Sequence, residues 1–110
     1  MKEAPDKRLL KIIRGLSPAE AQNRLMRVTD RNLAICLLYM EEIERNLLLG
    51  RLGKMKQDRV QQELGYVEHL RLRYPHYRSV IEQVIISIAG GKDIGPRSYI
   101  RPIKNDRRRS

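Results

Sequence analysis

Apolar residues recur every three or four positions through most of the chain, which is the spacing of one face of an α-helix. Glycines, prolines and capping residues interrupt this pattern at short intervals. The repeated valines and isoleucines near residue 85 would also suit a strand, but their spacing favours a helix. The pattern therefore predicts an all-α fold, a compact right-handed stack or bundle of about six short helices joined by tight turns.

The first three predicted helices begin at recognisable capping residues. Pro5 suits the first turn of one helix, and Gly15 ends it. Ser17 caps a second helix that runs to about Arg27, and Thr29 caps a third. Apolar residues surround this third helix on nearly all sides, so we expect it to be the most buried. They are Leu33, Ala34, Ile35, Cys36, Leu37, Leu38 and Met40.

The last three predicted helices follow a cluster of glutamates at residues 41–44, which favours the amino end of a helix. A fifth helix is predicted from Lys54 to Val67, and a sixth from Tyr74 to the glycine pair at residues 90–91. The predicted core stripes of these helices are Ile43, Leu47, Leu48 and Leu52, then Val60, Leu64 and Val67, then Tyr77, Val80, Ile81, Val84, Ile85 and Ile88.

Length and composition limit the class of protein. The 110 residues fit one domain, and the absence of Phe and Trp predicts an aliphatic core. The longest apolar run, Leu33–Met40, is too short to cross a bilayer, and the charged amino terminus does not resemble a signal peptide. The single cysteine cannot form an internal disulfide, which fits a reducing compartment. We therefore expect a cytoplasmic protein without a transmembrane segment.

The formal net charge of +10 is concentrated at the carboxyl end. Residues 92–110 hold seven Lys or Arg against two Asp, so this segment carries +5 and the other 91 residues carry the remaining +5. Glycine and proline alternate with arginine here without a helical period, which predicts a flexible basic tail after a helical domain at residues 1–91. Its candidate contacts are Arg97, Arg101, Arg107, Arg108 and Arg109.

Residue types that carry catalysis do not form a recognisable constellation. Pro75 separates His69 from His76, so the two histidines do not share a helix face, and no third metal ligand is near. Cys36 lies within an apolar stripe, where burial raises the pKa of a thiol. The sequence Gly90-Gly91-Lys92 follows a helix instead of a strand and lacks the rest of a phosphate-binding loop. The sequence predicts no enzyme, no metal site and no cofactor.

Four segments in order resemble the carboxy-terminal domain of the flagellar motor switch protein, the rotor subunit that meets the stator. They are TDRNLA at residues 29–34, EEIER at 41–45, RVQQEL at 59–64 and EHLRL at 68–72. The likeness extends over about residues 16–89. It implies an armadillo-like helical stack, a role in flagellar motility and chemotaxis, and a place at the cytoplasmic face of the membrane with the motor.

The resemblance also implies a partner-binding surface on the fifth helix and after it. In the family a helix with acidic and basic residues on one exposed face pairs with a charged loop of the stator. Glu63 and Arg71 match an acidic and a basic position of that motif, whereas Leu38, Met55 and Gln62 replace charged residues of the family. The residues predicted to bind a rotor or stator partner, or a second copy of the chain, are Lys56, Arg59, Glu63, Arg71 and Arg73.

Nucleic acid is the alternative partner. Tyrosines at residues 74, 77 and 99 are interleaved with arginines, a mixture that can stack on bases and neutralise phosphates, and the basic tail could act in the same way. The simpler interpretation is that Tyr74 and Tyr77 pack on the core while arginines surround them in solvent. A basic adaptor that binds nucleic acid through its tail therefore remains a second hypothesis beside the protein-interaction module.

Overall fold

The computed structural model describes residues 3–93, and the side chains of residues 3–89. This part of the chain contains six α-helices and no strand, which confirms the predicted all-α fold. The helices are α1 (Pro5–Gly15), α2 (Pro18–Leu25), α3 (Asp30–Leu37), α4 (Glu42–Leu49), α5 (Lys54–His69) and α6 (Tyr74–Asp93).

The predicted capping residues begin the first three helices. Pro5 and Pro18 are the first residues of α1 and α2, where a missing amide hydrogen costs no helical hydrogen bond. The Ser17 hydroxyl accepts a hydrogen bond from the Glu20 amide, and the Thr29 hydroxyl accepts one from the Asn32 amide, each at 3.1 Å. These bonds satisfy amide donors that the first turn of a helix leaves unpaired.

The centre of the molecule is α3, which packs most extensively against α5 and also against α6. Leu33, Ala34, Cys36 and Leu37 of α3 are fully buried, which confirms that this is a core helix. The other helix that packs extensively against α6 is α1, and α2 and α4 make smaller contacts with α6 and α1 respectively. The described helices therefore share one aliphatic core, to which Tyr77 adds the only fully buried aromatic ring.

The orientation of α4 differs from the sequence prediction. Ile43, which was assigned to the core stripe, is 79% exposed. The other three predicted residues do face the core, since Leu48 and Leu52 are buried and Leu47 is partly buried, and Leu49 is buried without having been predicted. Two turns of helix with leucines at three consecutive positions do not specify which side faces inward, and contact with neighbouring helices decides it.

Two helices end later than predicted. The last residue of α5 is His69, two residues beyond Val67, and α6 continues through the glycine pair at residues 90–91 to Asp93. Glycine lowers helix stability but does not end a helix by itself, so the prediction of a stop at the pair is wrong. The predicted irregular tail lies almost entirely outside the described residues. Within residues 3–93, no helix is long and apolar enough to cross a membrane.

Candidate functional site

Asp30 joins α3 to α5 through two of the residues that were predicted to bind a partner. Its carboxylate oxygens lie 2.8 Å from the Lys56 Nζ and 3.0 Å from the Arg59 Nε. The Lys56 ammonium also donates a hydrogen bond to the Val28 carbonyl oxygen at 2.7 Å. Lys56 is only 6% exposed, so the expectation that it lies on an open charged face is wrong. Its charge stabilises the contact between helices.

The neighbouring cations favour the ionised form of Asp30. The hydrogen bond from Lys56, and to a smaller degree the one from Arg59, lowers the pKa of the Asp30 carboxyl below its ordinary value. Partial burial acts in the opposite direction but is the weaker effect. The carboxylate therefore remains ionised at neutral pH and holds both cations in place.

A third ion pair joins the same two helices. The Arg31 Nε of α3 donates to the Glu63 Oε1 of α5 at 2.5 Å. The side chains of Arg31 and Arg59 are each about half exposed, so a partner could reach this row of charges from solvent. Glu63 and Arg59, both predicted to bind a partner, thus lie on α5, and each already has an intramolecular partner.

Arg71 and Arg73 lie apart from those residues, in the turn between α5 and α6. Because α5 has 16 residues, its two ends are about 24 Å apart, and this turn lies at the far end from Lys56. Both arginines are exposed, and Arg71 has a left-handed backbone with a φ of 52°. The structure therefore divides the five predicted residues between two places.

Sequence reasoning missed two exposed apolar residues on α5. Met55 is 75% exposed and Tyr66 is 55% exposed, and both lie away from the buried stripe of the helix. With Arg59 and Gln62 between them, they follow the spacing of one helix face. We call these four residues the outer face of α5. This face could have been found from the sequence, because the helical spacing of its four residues places them on a different side of α5 from the predicted core residues Val60 and Leu64.

Three tyrosines form an aromatic cluster where α3 ends and α6 begins. The centroid of the Tyr39 ring lies 4.6 Å from that of the Tyr77 ring, with the two rings edge to face, and 6.0 Å from that of the Tyr74 ring. Tyr77 is buried, and burial is the main reason that the pKa of its hydroxyl is raised. Tyr39 and Tyr74 are about half exposed. The expected packing on the core is therefore confirmed for Tyr77 only, and Tyr39 and Tyr74 contact its ring while they present their own ring surfaces to solvent.

The remaining candidate chemical groups do not come together. Cys36 is fully buried, and desolvation raises the pKa of its thiol to about 12, as its apolar surroundings predict. His69 and His76 are both exposed on different helices. Among the described residues, no group of three His, Cys, Asp or Glu side chains could hold a metal ion. The predicted tail contacts, Arg97, Arg101, Arg107, Arg108 and Arg109, lie outside the described residues.

Comparison with known proteins adds no relative to this picture. No family model matches the chain, and neither a curated protein nor a solved structure matches it. The resemblance to the flagellar motor switch protein stays a prediction from the sequence.

Proposed function

We propose that the chain is a non-enzymatic protein-interaction module that resembles the rotor domain of the flagellar motor switch and binds a protein partner in or near the flagellar motor. The observation that supports this proposal most directly is the outer face of α5. There Met55 and Tyr66 are exposed on a helix that is fixed against the core by ion pairs.

The composition of this face suits protein recognition. Tyrosine, methionine and arginine are enriched at protein interfaces, where apolar side chains supply most of the binding energy and a polar rim surrounds them. Met55 and Tyr66 are the apolar members, and Arg59, Gln62 and Glu63 lie beside them on the same helix. The exposed charges set orientation and association rate more than affinity.

The rigid base of the surface also favours binding. Asp30 holds Lys56 and Arg59, and Arg31 holds Glu63, so α5 is connected to the central helix at several points. A surface that is ordered before binding loses little conformational entropy when a partner docks. The ion pairs therefore contribute to function indirectly, because they hold the outer face in place.

The resemblance supplies the class of partner. A flagellar rotor or stator component is expected, with Arg71 and Glu63 at the matching charged positions of the motif. Met55 and Gln62 stand where the family has charged residues, so the outer face of α5 is less charged than the corresponding surface of the family. Leu38 also replaces a family charge, but it lies at the end of α3 and packs against the core. We therefore expect the module to hold a partner through apolar contacts more than through a row of exposed charges.

The test is co-purification of the tagged full chain from flagellated cells that carry its gene, with rotor and stator proteins identified by mass spectrometry. The double variant Met55→Ala/Tyr66→Ala is expected to weaken binding of the flagellar component by about thirtyfold, since each side chain removed from an interface core contributes on the order of 1 kcal/mol. Arg71→Glu should give a smaller reduction. His76→Ala, an exposed change in α6, is the matched control.

Two outcomes contradict the proposal. One is recovery of no rotor or stator protein by the wild-type chain at native expression. The other is recovery that the double variant and Arg71→Glu leave at the level of His76→Ala. Nuclease-sensitive recovery that disappears when residues 92–110 are removed would support the nucleic-acid adaptor instead.

A further inference from the structure

A polar cleft lies between α6 and the segment that joins α2 to α3. It consists of two adjoining cavities of about 200 and 290 Å³, which share Arg27 and Ser87 among their lining residues. Asn32 and Gln83 line the first cavity, and Asn23 lines the second. We call this feature the α2–α6 cleft. It is separate from the outer face of α5, because no residue of α5 lines it.

The two arginines that line the cleft, Arg24 and Arg27, differ in whether a carboxylate neutralises their charge. The Arg24 side chain donates to the Glu20 carboxylate, with 3.0 Å between Nη2 and Oε2, and to the Ile88 carbonyl oxygen at 2.7 Å. This pair contributes little net charge. Arg27 is exposed, and none of the carboxylates of residues 3–89 forms an ion pair with it. The cleft therefore offers one guanidinium that can bind an anionic group.

The other lining groups suit a peptide better than a phosphate chain. The amides of Asn23, Asn32 and Gln83 can each donate and accept a hydrogen bond, which matches the alternating donors and acceptors of a peptide backbone. Phosphate oxygens only accept. Val28 and Val84 add an apolar portion to the first cavity.

Single-stranded nucleic acid would need aromatic rings on which its bases can stack. Among the described residues that line the cleft, none has an aromatic side chain. The two exposed rings of the tyrosine cluster, Tyr39 and Tyr74, lie where α6 begins, whereas the cleft lies beside the middle of α6, at Gln83 and Ser87. The geometry therefore favours a protein ligand.

Charge also identifies the kind of protein segment. The chain's own residues 92–110 carry a net charge of +5. A basic segment of this kind would be repelled by Arg27, whereas an acidic segment would be attracted by it. An acidic partner therefore fits the cleft better than the chain's own tail.

We propose that the α2–α6 cleft binds an acidic segment of a protein partner, with a carboxylate on Arg27 and the peptide backbone on the amides of Asn32 and Gln83. This inference rests on the proposed function in one respect, which is that the ligand is a protein. A bidentate contact between guanidinium and carboxylate fixes direction as well as position.

Fluorescence anisotropy with the full chain tests this site. The probe is a labelled unstructured peptide rich in Asp and Glu, and the reference probe is the same peptide with Asn and Gln in their place. Arg27→Glu is expected to weaken binding of the acidic probe by about tenfold, the range of close charge pairs at interfaces. Gln83→Glu, which places a carboxylate in the cleft without removing Arg27, should also weaken it.

Arg14→Glu is the matched control, because it makes the same change of charge at an exposed site on α1. It should alter binding by less than about threefold, the effect of overall charge. Thermal melting of each variant confirms that it is folded. Tyr66→Ala should bind the acidic probe as the wild-type chain does, so failure of the cleft and failure of the outer face of α5 can be distinguished.

Three results would overturn the inference. The first is an equal loss for Arg27→Glu and Arg14→Glu, which would indicate diffuse attraction. The second is equal affinity of the acidic probe and the amide probe. The third is tighter, Arg27-dependent binding of a single-stranded oligonucleotide than of the acidic peptide, which would assign the cleft to nucleic acid.

Discussion

The α3–α5 and α2–α6 sides of the molecule use charged residues in different ways. Between α3 and α5, Asp30 pairs with Lys56 and Arg59 while Arg31 pairs with Glu63, so charges from both helices stabilise the same interface. Between α2 and α6, Arg24 makes one contact with a backbone carbonyl, and Arg27 faces solvent beside a cleft. The first side is a structural assembly, and the second is a polar surface with room for a ligand.

This difference shows that a charge in an amphipathic helix does not by itself indicate a binding site. Lys56 and Arg59 have the residue types and spacing of an interaction surface, yet Asp30 binds both of them. A partner that used them would first have to compete with that carboxylate. Arg27 was not among the predicted binding residues, although it is more accessible to an external anion than Lys56.

The largest expected difference between the two sides is in stability. Lys56→Met keeps most of the aliphatic stem but removes the charge from the buried contact with Asp30 and the hydrogen bond to the Val28 carbonyl. Val28 lies between helices, so its carbonyl would lose a partner that no helix replaces. We expect a loss of about 2 to 3 kcal/mol in the free energy of unfolding, measured by urea denaturation followed by circular dichroism.

Arg24→Met is the counterpart on the α2–α6 side. The Ile88 carbonyl that Arg24 contacts belongs to a helix and retains its helical hydrogen bond, so we expect a loss of only about 1 kcal/mol. If the two variants were destabilised equally, the ion pairs of the α3–α5 side would have no special structural role.

A smaller effect concerns pH. The pKa of Asp30 is lower in the folded chain than its ordinary value of 3.8, so its contribution to stability is present above that pH and is lost as pH falls through the folded pKa. Asp30→Asn lacks this contribution. We expect the wild-type chain to be more stable than Asp30→Asn at pH 6 and the difference to decrease steadily below pH 4, as measured by urea denaturation across that range.

Asp58→Asn provides the control for this pH series. Asp58 pairs with Lys54 one helical turn away, and both side chains are mostly exposed, so the pair should contribute little at any pH. A difference between wild type and Asp30→Asn that stayed constant from pH 6 to pH 3 would show that the Asp30 charge does not hold α3 against α5.

The smallest expected effect is a gain in stability at the turn after α5. Arg71 has a φ of 52°, a conformation that costs a residue with a side chain about 1 kcal/mol and costs glycine little. Arg71→Gly should therefore raise the free energy of unfolding by up to about 1 kcal/mol. Arg73→Gly, at a position without positive φ, should not raise it. Urea denaturation of both variants checks this contrast.

The same pair of variants separates structure from binding at that turn. If Arg71 binds a partner, Arg71→Gly should weaken capture of the flagellar component while it stabilises the fold. A destabilised Arg71→Gly variant would show that the arginine side chain makes contacts that outweigh its backbone conformation.

The positions of the helices could be predicted because local signals determine them. Ser17 and Thr29 mark helix starts because their hydroxyls accept hydrogen bonds from backbone amides of the first turn. Pro5 marks another because it has no amide hydrogen that the first turn would leave unpaired. Each signal involves only a few neighbouring residues. The central helix was equally clear, since apolar residues surround α3 on nearly all sides, and burial of Cys36 follows from its place among them.

The candidate site depends on contacts between residues that are far apart in the chain. Local sequence patterns do not reveal such contacts. The burial of Lys56 requires the Val28 carbonyl and the Asp30 carboxylate, which come from the segment before α3. The exposure of Ile43 requires knowing how a short helix is rotated against its neighbours. The α2–α6 cleft likewise brings Arg27 beside Gln83 and Ser87, and no periodic pattern connects those residues.

Cys36 gives the chain a natural reporter of its own opening. It is the single cysteine of the sequence, it is fully buried in α3, and its raised pKa keeps it as an unreactive thiol. Modification by an aqueous thiol reagent therefore requires the centre of the molecule to separate from its neighbours first. The labelling rate would measure how often that happens in native conditions, and comparing it with and without a partner would show whether binding makes the interior less dynamic.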